Sequence, residues 1–419
     1  MPILTLAIKS LWSRRGTALL TIGSLAISVM LLLGVEKVKR EARNSFTSTI
    51  SGTDLIVGAR SGGVQLLLYS VFRIGNAANN ISIDSYSRIA AFPETAWTIP
   101  LSLGDSHRGF RVLGTTVDYF THYRYARKRS LSFRAGRQFE DIFDAVLGAE
   151  VAETLGYQIG DPIVVNHGIG AVGFAPHKDK PFRVAGILAR TGTPVDRTVH
   201  VSLQGIEAIH VDWRDGRKMR GLKITADDVR KMNLEPKAVT AVLVGLNTRL
   251  AAFAVQRRIN EYRGEPLLAI LPGVTLQELW TLVGTAETGL AAVSLLVVIA
   301  SLLGMLTMLL AGLSERRREM AILRAVGARP RHVMGLLVAE STLLVCVGTI
   351  CGLALFYLGL VVTQPVIETR FGLHVALAWP TARDGAILAF VIAAGIAAGL
   401  IPAYRAYKRT LTDGLTVRS

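Results

Sequence analysis

Cysteine is nearly absent from this chain of 419 residues, which contains only Cys346 and Cys351. The two lie five positions apart in one apolar stretch, on roughly opposite faces of a helix, so a disulfide between them has poor geometry. Residues 36–285 contain no cysteine, which excludes a disulfide framework there. That region must be stable through its own hydrophobic core, and its length is sufficient for one.

Charged residues are also scarce, at 19% of the chain, whereas 50% of the residues are hydrophobic and the mean hydropathy is +0.40. Soluble proteins carry about 25% charged residues. The composition argues against a purely soluble protein, and it excludes disorder, which needs low hydrophobicity with high net charge. Forty glycines without a period exclude collagen and are typical of closely packed transmembrane helices.

Four long apolar runs predict transmembrane helices. They lie at residues 17–35, 286–312, 333–362 and 385–402. Glu287 and Glu340 are their only charged residues. Even the shortest run would span close to 27 Å as a helix, enough for the hydrocarbon core. A cleaved signal peptide is the alternative for the first run, but the run is longer than a signal sequence needs and no small-x-small site precedes Glu36.

Basic residues are concentrated in three short segments that flank the apolar runs. Residues 1–16, 313–332 and 403–419 hold 13 of them against three acidic residues, whereas 363–384 holds two. The positive-inside rule therefore predicts both termini and the 313–332 loop in the cytoplasm, with 36–285 and 363–384 outside. Because these basic residues flank helices without interleaved aromatic residues, we expect no nucleic-acid partner.

The outer region, residues 36–285, carries +8 of the net charge of +16. A solvated surface, an acidic partner and anionic lipid headgroups remain alternative explanations. Runs rich in valine and isoleucine predict strands at 54–58, 109–114, 145–148, 161–165, 182–188, 198–201 and 240–246. Helical patterns lie at 36–50, continuing the first span, and at 83–91, 150–155, 203–210, 225–232 and 249–262. An α+β domain of two subdomains fits this alternation.

The segment 63–74 is apolar on nearly all sides and follows soon after the first span. It is either an amphipathic or gating segment at the outer membrane face or a core helix or strand, and we favour the core interpretation.

Motifs that would indicate an enzyme or a metal site are absent. There is no P-loop and no G-x-S-x-G, and the G-x-G-x-x-G at 168–173 does not open a helix in a βαβ unit. Six outer histidines, none of them paired at H-x-x-x-H spacing, are His107, His122, His167, His177, His200 and His210. His167 and His177 lie in a Gly-rich stretch, where exposed loop histidines are the default and a ligand role is the alternative. We therefore predict no catalytic residue, no bound cofactor and no metal site.

Residues 314–327, between the second and third apolar runs, predict a short cytoplasmic helix. Acidic residues in its first turns and a basic residue near its end interact favourably with the helix dipole. Three apolar residues, Met320, Leu323 and Val326, fall on one stripe. Gly327 is a natural C-cap, and Pro330 can start the next helix. An anionic-lipid anchor would need only the arginines, so it explains neither the glutamates, the stripe nor the glycine.

These residues also match a family motif, E-x-x-x-E-[IM]-x-x-x-[RK]-A-x-G-A. The matching positions are Glu315, Glu319, Met320, Arg324, Ala325, Gly327 and Ala328. Glu340 and the run Pro402–Ala406, which follows P-A-x-[RK]-A, fit the same family, although Leu411 stands where the family often has a proline. The chain thus resembles the MacB/FtsX-type ABC transporter permeases, which include the lipoprotein-releasing LolC and LolE.

The resemblance implies a fold and a location. The fold class is a membrane protein with four transmembrane α-helices, N-in and C-in, and a large α+β periplasmic domain of the MacB core type between helices 1 and 2. The location is the bacterial inner membrane. The resemblance assigns ATPase coupling to Glu315, Glu319, Met320, Leu323, Arg324, Val326 and Gly327. It assigns a cytoplasmic C-terminal motif to Pro402, Ala403, Tyr404 and Arg405.

The resemblance also implies a function. The chain would be the permease subunit of an ABC transporter, with no ATPase site of its own, coupling hydrolysis of MgATP by a separate ATPase subunit to a periplasmic conformational change (mechanotransmission). That change would drive export or extraction of a periplasmic or membrane-derived substrate, with lipid or lipoprotein as a candidate. The expected partners are the ATPase, a second permease copy (a homodimer or a heterodimer), membrane lipids and a periplasmic protein.

Two alternatives remain at this point. The first is a non-transporting regulatory scaffold of the same build that activates a periplasmic envelope enzyme. The second is a membrane-anchored sensor or enzyme that uses the outer histidines, for which stoichiometric metal in the outer domain would be the sign.

Overall fold

The structure is a computed structural model that describes residues 2–168, 175–177, 179–214, 217–218, 224–315, 322, 326–371 and 378–412. The chain divides into two compact units. The membrane unit comprises Met1–Glu41 and Gly284–Ser419, and the outer unit comprises Ala42–Val283.

The membrane unit is helical. One short helix and four long helices include its residues. They are α1 (Pro2–Ser13), α2 (Arg15–Thr49), α10 (Pro272–Glu315), α11 (Pro330–Phe371) and α12 (Ala382–Thr412). The four long ones are each long and apolar enough to cross a membrane. The four predicted spans are therefore confirmed, and so is the helical continuation of the first span through residues 36–49.

Glycines allow the helices of the membrane unit to approach each other closely. A Cβ atom at Gly352 of α11 would lie 2.7 Å from Cβ of Val29 and 2.8 Å from the carbonyl oxygen of Ala26, both on α2. On α12, Gly399 lies against Ser341 of α11 in the same way. Small residues at such positions give van der Waals contact between helices, which is the main attraction available in lipid.

Gly352→Ala is expected to destabilise the detergent-solubilised chain, because the added methyl group overlaps α2 and overpacking costs about 1–3 kcal/mol. The matched control is Gly359→Ala on the same helix, where a Cβ would meet no described atom within 4 Å. Since alanine is the better helix former by about 1 kcal/mol, the control should be neutral or stabilising. Thermal unfolding followed by tryptophan fluorescence measures both variants. Equal melting temperatures for the two would contradict the close approach at Gly352.

The outer unit is built on a 12-stranded mixed sheet with short helices around it. Its first strands are β1 (Leu55–Ala59), β2 (Ile81–Ser82), β3 (Thr95–His107), β4 (Phe110–Thr115), β5 (Arg124–Tyr125), β6 (Arg129–Ser130), β7 (Phe133–Gly136), β8 (Asp144–Leu147) and β9 (Pro162–Ile163). The rest are β10 (Asn166–His167), β11 (Ala175–Pro176), β12 (Phe182–Leu188), β13 (Thr198–Ser202), β14 (Trp213–Arg214), β15 (Arg217–Lys218), β16 (Ala238–Val239), β17 (Ala241–Leu246) and β18 (Leu267–Ile270).

The helices of this unit are short. They are α3 (Gly63–Leu67), α4 (Ile83–Ala90), α5 (Asp118–His122), α6 (Ala149–Leu155), α7 (Leu203–His210), α8 (Ala226–Val229) and α9 (Ala252–Asn260). A π-helix at Leu68–Phe72 and 3-10 turns at Pro194–Arg197 and Arg249–Ala251 complete the set. Serine and threonine cap several of them: the hydroxyl of Ser202, for example, accepts a hydrogen bond from the amide of Gly205 at 2.9 Å.

The long strand β3 holds the two parts of the sheet together. The main strand order is β18-β1-β17-β3-β4-β13-β8-β12-β7. The first half of β3 pairs with β17, with Leu101 opposite Ala241, and its second half pairs with β4, with Leu103 opposite Leu113. Both parts share this strand, and residues 42–283 form one compact unit. The expectation of two subdomains within that unit stays a prediction.

The apolar segment 63–74 belongs to the core of the outer unit. It forms α3 followed by the π-helix, and Leu66, Leu67 and Phe72 are buried. They pack with residues of β3 such as Ile99 in one hydrophobic cluster. The interpretation of this segment as a core helix is confirmed.

Candidate functional site

The segment between α10 and α11 holds the predicted coupling residues. The backbone of α10 ends at Glu315, and Glu319, Met320, Leu323 and Arg324 lie outside the described residues. The amide of Val326 donates a hydrogen bond to the carbonyl of Ile322 at 3.1 Å, which is the spacing of a helical turn. Gly327 follows with φ +99°. This left-handed residue is what the predicted glycine C-cap requires.

Two apolar side chains of this turn face solvent. Ile322 is 56% exposed and Val326 is 84% exposed. Val326 is one member of the predicted apolar stripe, whereas Ile322 was not singled out from the sequence. Exposed apolar residues are a feature of docking surfaces, because covering them by a partner is favourable in free energy.

The predicted C-terminal motif divides into a packed half and an exposed half. Pro402 and Ala403 are buried, and Ala403 packs on Val333 and Leu337 of α11. Tyr404 is 62% exposed, and Arg405 is exposed as well. The buried half fixes the end of α12 against α11, and the exposed half remains available for a partner.

Hydroxyl groups join α2 to α10 inside the membrane unit. The hydroxyl of Ser301 lies 2.8 Å from that of Ser24 and 2.7 Å from that of Ser28. In an apolar environment such groups need internal partners, and hydrogen bonds across helices contribute about 0.6 kcal/mol or more each. The two helices are therefore connected by more than van der Waals contact.

Ion pairs join the same helices further along α2. Lys39 pairs with Glu287 of α10 at 2.9 Å. Arg40 donates to both carboxylate oxygens of Asp384 of α12 at 3.2 Å, and a further pair joins Glu36 and Arg383 at 2.9 Å. These three ion pairs use about one turn of α2 and connect it to both α10 and α12.

Three outer histidines that are distant in sequence lie together in the outer unit. His167, His177 and His210 each place one ring nitrogen within 4.8 Å of the other two. Burial lowers the pKa of His177 to about 4, whereas Asp105 beside His167 raises the pKa of that side chain. His177 is fully buried, so its interpretation as an exposed loop histidine is wrong.

Sequence reasoning missed this histidine cluster because its members come from three separate segments. His167 ends β10, His177 follows β11, and His210 ends α7. A search for local metal-binding spacing cannot detect such a group, and only the fold brings it together.

Two family models match the chain. The model described as MacB-like periplasmic core domain matches residues 18–261, which is more than half of the chain. The model described as FtsX-like permease C-terminal matches residues 291–411.

Two curated relatives are similar over most of the chain. The Macrolide export ATP-binding/permease protein MacB of Nitrobacter winogradskyi is 24% identical over 404 residues, covering 92% of this chain and 56% of the relative. The Pyoverdine export ATP-binding/permease protein PvdT of Pseudomonas fluorescens is 23% identical over 346 residues, covering 80% of this chain and 48% of the relative. The chain thus spans about half the length of these relatives.

Two solved structures overlap part of the chain. The periplasmic region of MacB from Actinobacillus actinomycetemcomitans has a TM-score of 0.34 at 11% identity, covering 55% of this chain and 94% of that chain. The extracellular domain of the noncanonic ABC-type transporter YknZ from Gram-positive bacteria has a TM-score of 0.30 at 12% identity, covering 52% of this chain and 98% of that chain.

The family matches agree with the order of elements along the chain. The chain has four candidate spans, and a large α+β domain lies between the first and the second of them in the sequence. That domain is of a periplasmic type. The chain is therefore a multipass inner-membrane protein with a periplasmic domain. It belongs to the MacB/FtsX-type family of ABC transporter permeases.

Proposed function

We propose that this chain is the permease subunit of an ABC exporter whose ATP is bound and hydrolysed, with Mg²⁺, by a separate ATPase subunit. The observation that carries the proposal is the exposed apolar turn at Ile322 and Val326, which lies between two candidate spans of an ABC permease family. The chain itself would then contribute no catalytic residue. Its contribution would be a docking surface and a mechanical connection.

The docking surface in this proposal is the predicted coupling helix together with the exposed half of the C-terminal motif. The residues concerned are Glu315, Glu319, Met320, Leu323, Arg324, Val326 and Gly327, with Tyr404 and Arg405 from the motif. The apolar members would enter a groove of the ATPase, and the charged members would fix the orientation of the helix.

Movement of the coupling helix would pass into the spans. α10 is a helix of 44 residues that ends at the coupling segment, so a push at that end would be carried along the span. The serine contacts and the ion pairs at Lys39 and Arg40 would carry the displacement to α2 and α12. The outcome would be a conformational change of the periplasmic domain, which is mechanotransmission.

The substrate in this proposal is a periplasmic or membrane-derived molecule, with lipid or lipoprotein as a candidate class. The two curated relatives are named for the export of a macrolide and of pyoverdine, which supports export as the direction. Because four spans in one subunit are few for a transporter, we propose that two permease copies assemble, as a homodimer or as a heterodimer.

Copurification in mild detergent or nanodiscs tests the proposal. We expect an ATP-binding subunit to copurify with the full chain in about equal amounts and its ATPase activity to depend on the chain. Recovery of the chain without any ATPase, under conditions that preserve its thermal unfolding transition, would contradict the proposal. If the ATPase copurifies but depletion of the chain leaves lipid and lipoprotein export unchanged, the substrate part of the proposal is wrong and a regulatory scaffold is favoured.

A further inference from the structure

We propose that Asp105, His167, His177 and His210 form a zinc site in the periplasmic domain. Nothing in the coupling mechanism uses these four residues. The site would lie where the β10–β11 hairpin meets the end of α7, and the metal would connect these two segments to strand β3.

The first argument is the spacing of the donor atoms. Nδ1 of His167 lies 3.1 Å from Nε2 of His210, and Oδ1 of Asp105 lies 3.2 Å and 3.7 Å from these two nitrogens. Ligand atoms bound at 2.0–2.1 Å to a tetrahedral zinc ion are about 3.3–3.4 Å apart. The three donor atoms therefore approximate one face of the tetrahedron that zinc requires, and His177 supplies a fourth donor within 4.8 Å of the other histidines.

The second argument is that buried donors lack hydrogen-bond partners. His177 is fully buried, and neither of its ring nitrogens has a hydrogen-bond partner among the residues that the structure describes. Oδ1 of Asp105 is buried as well, and it accepts no hydrogen bond of acceptable geometry from those residues. Leaving such a group unsatisfied costs about 1–3 kcal/mol. A bound cation would use both groups at once.

The third argument is the orientation of the ligands. Nδ1 of His210 lies 2.8 Å from the carbonyl oxygen of Ile206, which can only accept, so Nδ1 donates and Nε2 keeps its lone pair toward the cluster. Such outer contacts, which fix the tautomer and the ring plane, usually accompany metal-binding histidines. His167 and Asp105 lie opposite each other in the β10–β3 pair, so the sheet itself sets the distance between them.

A hydrogen-bonded cluster without metal is the competing explanation. A protonated His167 beside Asp105 would account for the contact between those two side chains. It would leave His177 buried without a partner among the described residues, and it would place a cation next to two further imidazoles. A zinc ion explains all four side chains, and three histidines with one carboxylate are donors that zinc prefers over calcium or magnesium.

The test uses the full chain, without a polyhistidine tag, purified in detergent and stripped with a chelator. We expect zinc to rebind at about one ion per chain, measured by elemental analysis after gel filtration. Cobalt in place of zinc should give the strong visible absorption of a tetrahedral site. It should also quench Trp213, whose ring centroid lies 4.6 Å from that of His177.

Matched variants decide whether the binding is at this site. His177→Ala and Asp105→Asn should each weaken zinc binding at least about tenfold. His122→Ala is the control, because it removes a histidine of the same domain that stacks on Trp97 outside the cluster. Zinc should raise the melting temperature of the unchanged chain and of the control, and it should not raise that of His177→Ala.

Two results would overturn the proposal. One is the absence of zinc and of a tetrahedral cobalt spectrum in the unchanged chain, which would favour the hydrogen-bonded cluster. The other is equal zinc affinity in the control and in the site variants, which would indicate adventitious binding elsewhere. If His177→Ala fails to fold, His210→Gln serves as the site variant, and the cobalt spectrum of the unchanged chain gives an answer that needs no variant.

Discussion

Replacement of Val326 by aspartate is expected to weaken binding of the partner ATPase about thirtyfold. Val326 is 84% exposed, so the substitution leaves the packing of the permease intact. If the side chain of Val326 enters a groove of the ATPase as proposed, an aspartate at this position must either lose its hydration or stay outside the groove. Loss of a central anchor costs about 2 kcal/mol or more, which corresponds to the expected change in affinity. Titration of the ATPase against the permease in nanodiscs measures it.

Insertion of two glycines after Glu319 is the companion variant for coupling. If these residues form the coupling helix as proposed, the insertion should leave some binding but interrupt that helix, since glycine is the most flexible residue and costs about 1 kcal/mol per position in a helix. We therefore expect permease-dependent ATP hydrolysis to fall to the level of the ATPase alone, while the melting temperature of the permease stays unchanged.

Leu250→Asp is the matched control for both variants. Leu250 is an aliphatic side chain that is 92% exposed, and it lies in the 3-10 turn of the outer unit. It adds the same charge at an exposed apolar position away from the coupling segment, so ATPase affinity and stimulation should not change. Normal stimulation after glycine insertion would contradict the assignment of the coupling helix. Equal losses for Val326→Asp and Leu250→Asp would show that the effect is one of charge alone.

Much of the fold was predictable because its signals are local. The four apolar runs depend on length and composition alone, which is why all four candidate spans were found. Most of the seven predicted strands were found for a related reason: they are buried on both faces, and a doubly buried strand is a continuous apolar run. In β17, for example, all six residues are buried. The strand predicted at 161–165 is present only as the two residues of β9, and one of these is exposed.

Among the strands that the sequence analysis missed is the one that organises the sheet. Strand β3 contains Pro100 and Gly104, both of which normally argue against a strand. The signal that could have found it is the alternation of Trp97, Ile99, Leu101 and Leu103. Nothing else in the sequence shows that the two groups of strands share one member.

The histidine cluster was missed for a different physical reason. Its donors are brought together by strand pairing and by the packing of α7, and a single sequence contains neither. The same holds for the contact between the C-terminal motif and α11, where Ala403 meets Val333. Long-range contacts decide what these residues touch, and the local sequence does not contain them.

Lys180→Met is expected to be the most destabilising substitution in the periplasmic domain. Nζ of Lys180 lies 2.6 Å from Oδ1 of Asp212, and both side chains are fully buried. Removal of the ammonium group takes a counter-charge away from a buried carboxylate, which costs about 3–5 kcal/mol. For a domain of this size the melting temperature should fall by roughly 6–20 °C. Thermal unfolding of the full chain, followed by tryptophan fluorescence, measures it.

The loss of stability in Lys180→Met depends on the burial of the ion pair. An exposed ion pair in the same domain serves as the comparison. Arg88 and Asp84 form an ion pair at 3.0 Å with side chains that are 61% and 69% exposed. Because solvent screens such a pair, Arg88→Ala should change stability by no more than about 1 kcal/mol. A second control removes both buried charges: Lys180→Met combined with Asp212→Leu should recover most of the loss, since apolar pairs often replace buried ion pairs without cost.

The Lys180–Asp212 ion pair also connects two segments of the periplasmic domain, and the variants described above can detect this connection. Lys180 follows the β10–β11 hairpin and Asp212 follows α7, so the ion pair connects the same two segments as the proposed zinc site. Zinc should therefore offset part of the loss in Lys180→Met, because a metal that binds only the folded domain stabilises it, by an amount that rises with the logarithm of the metal concentration. A loss no larger than that of Arg88→Ala would mean that water reaches Asp212, and the buried pair would then not be what holds these segments together.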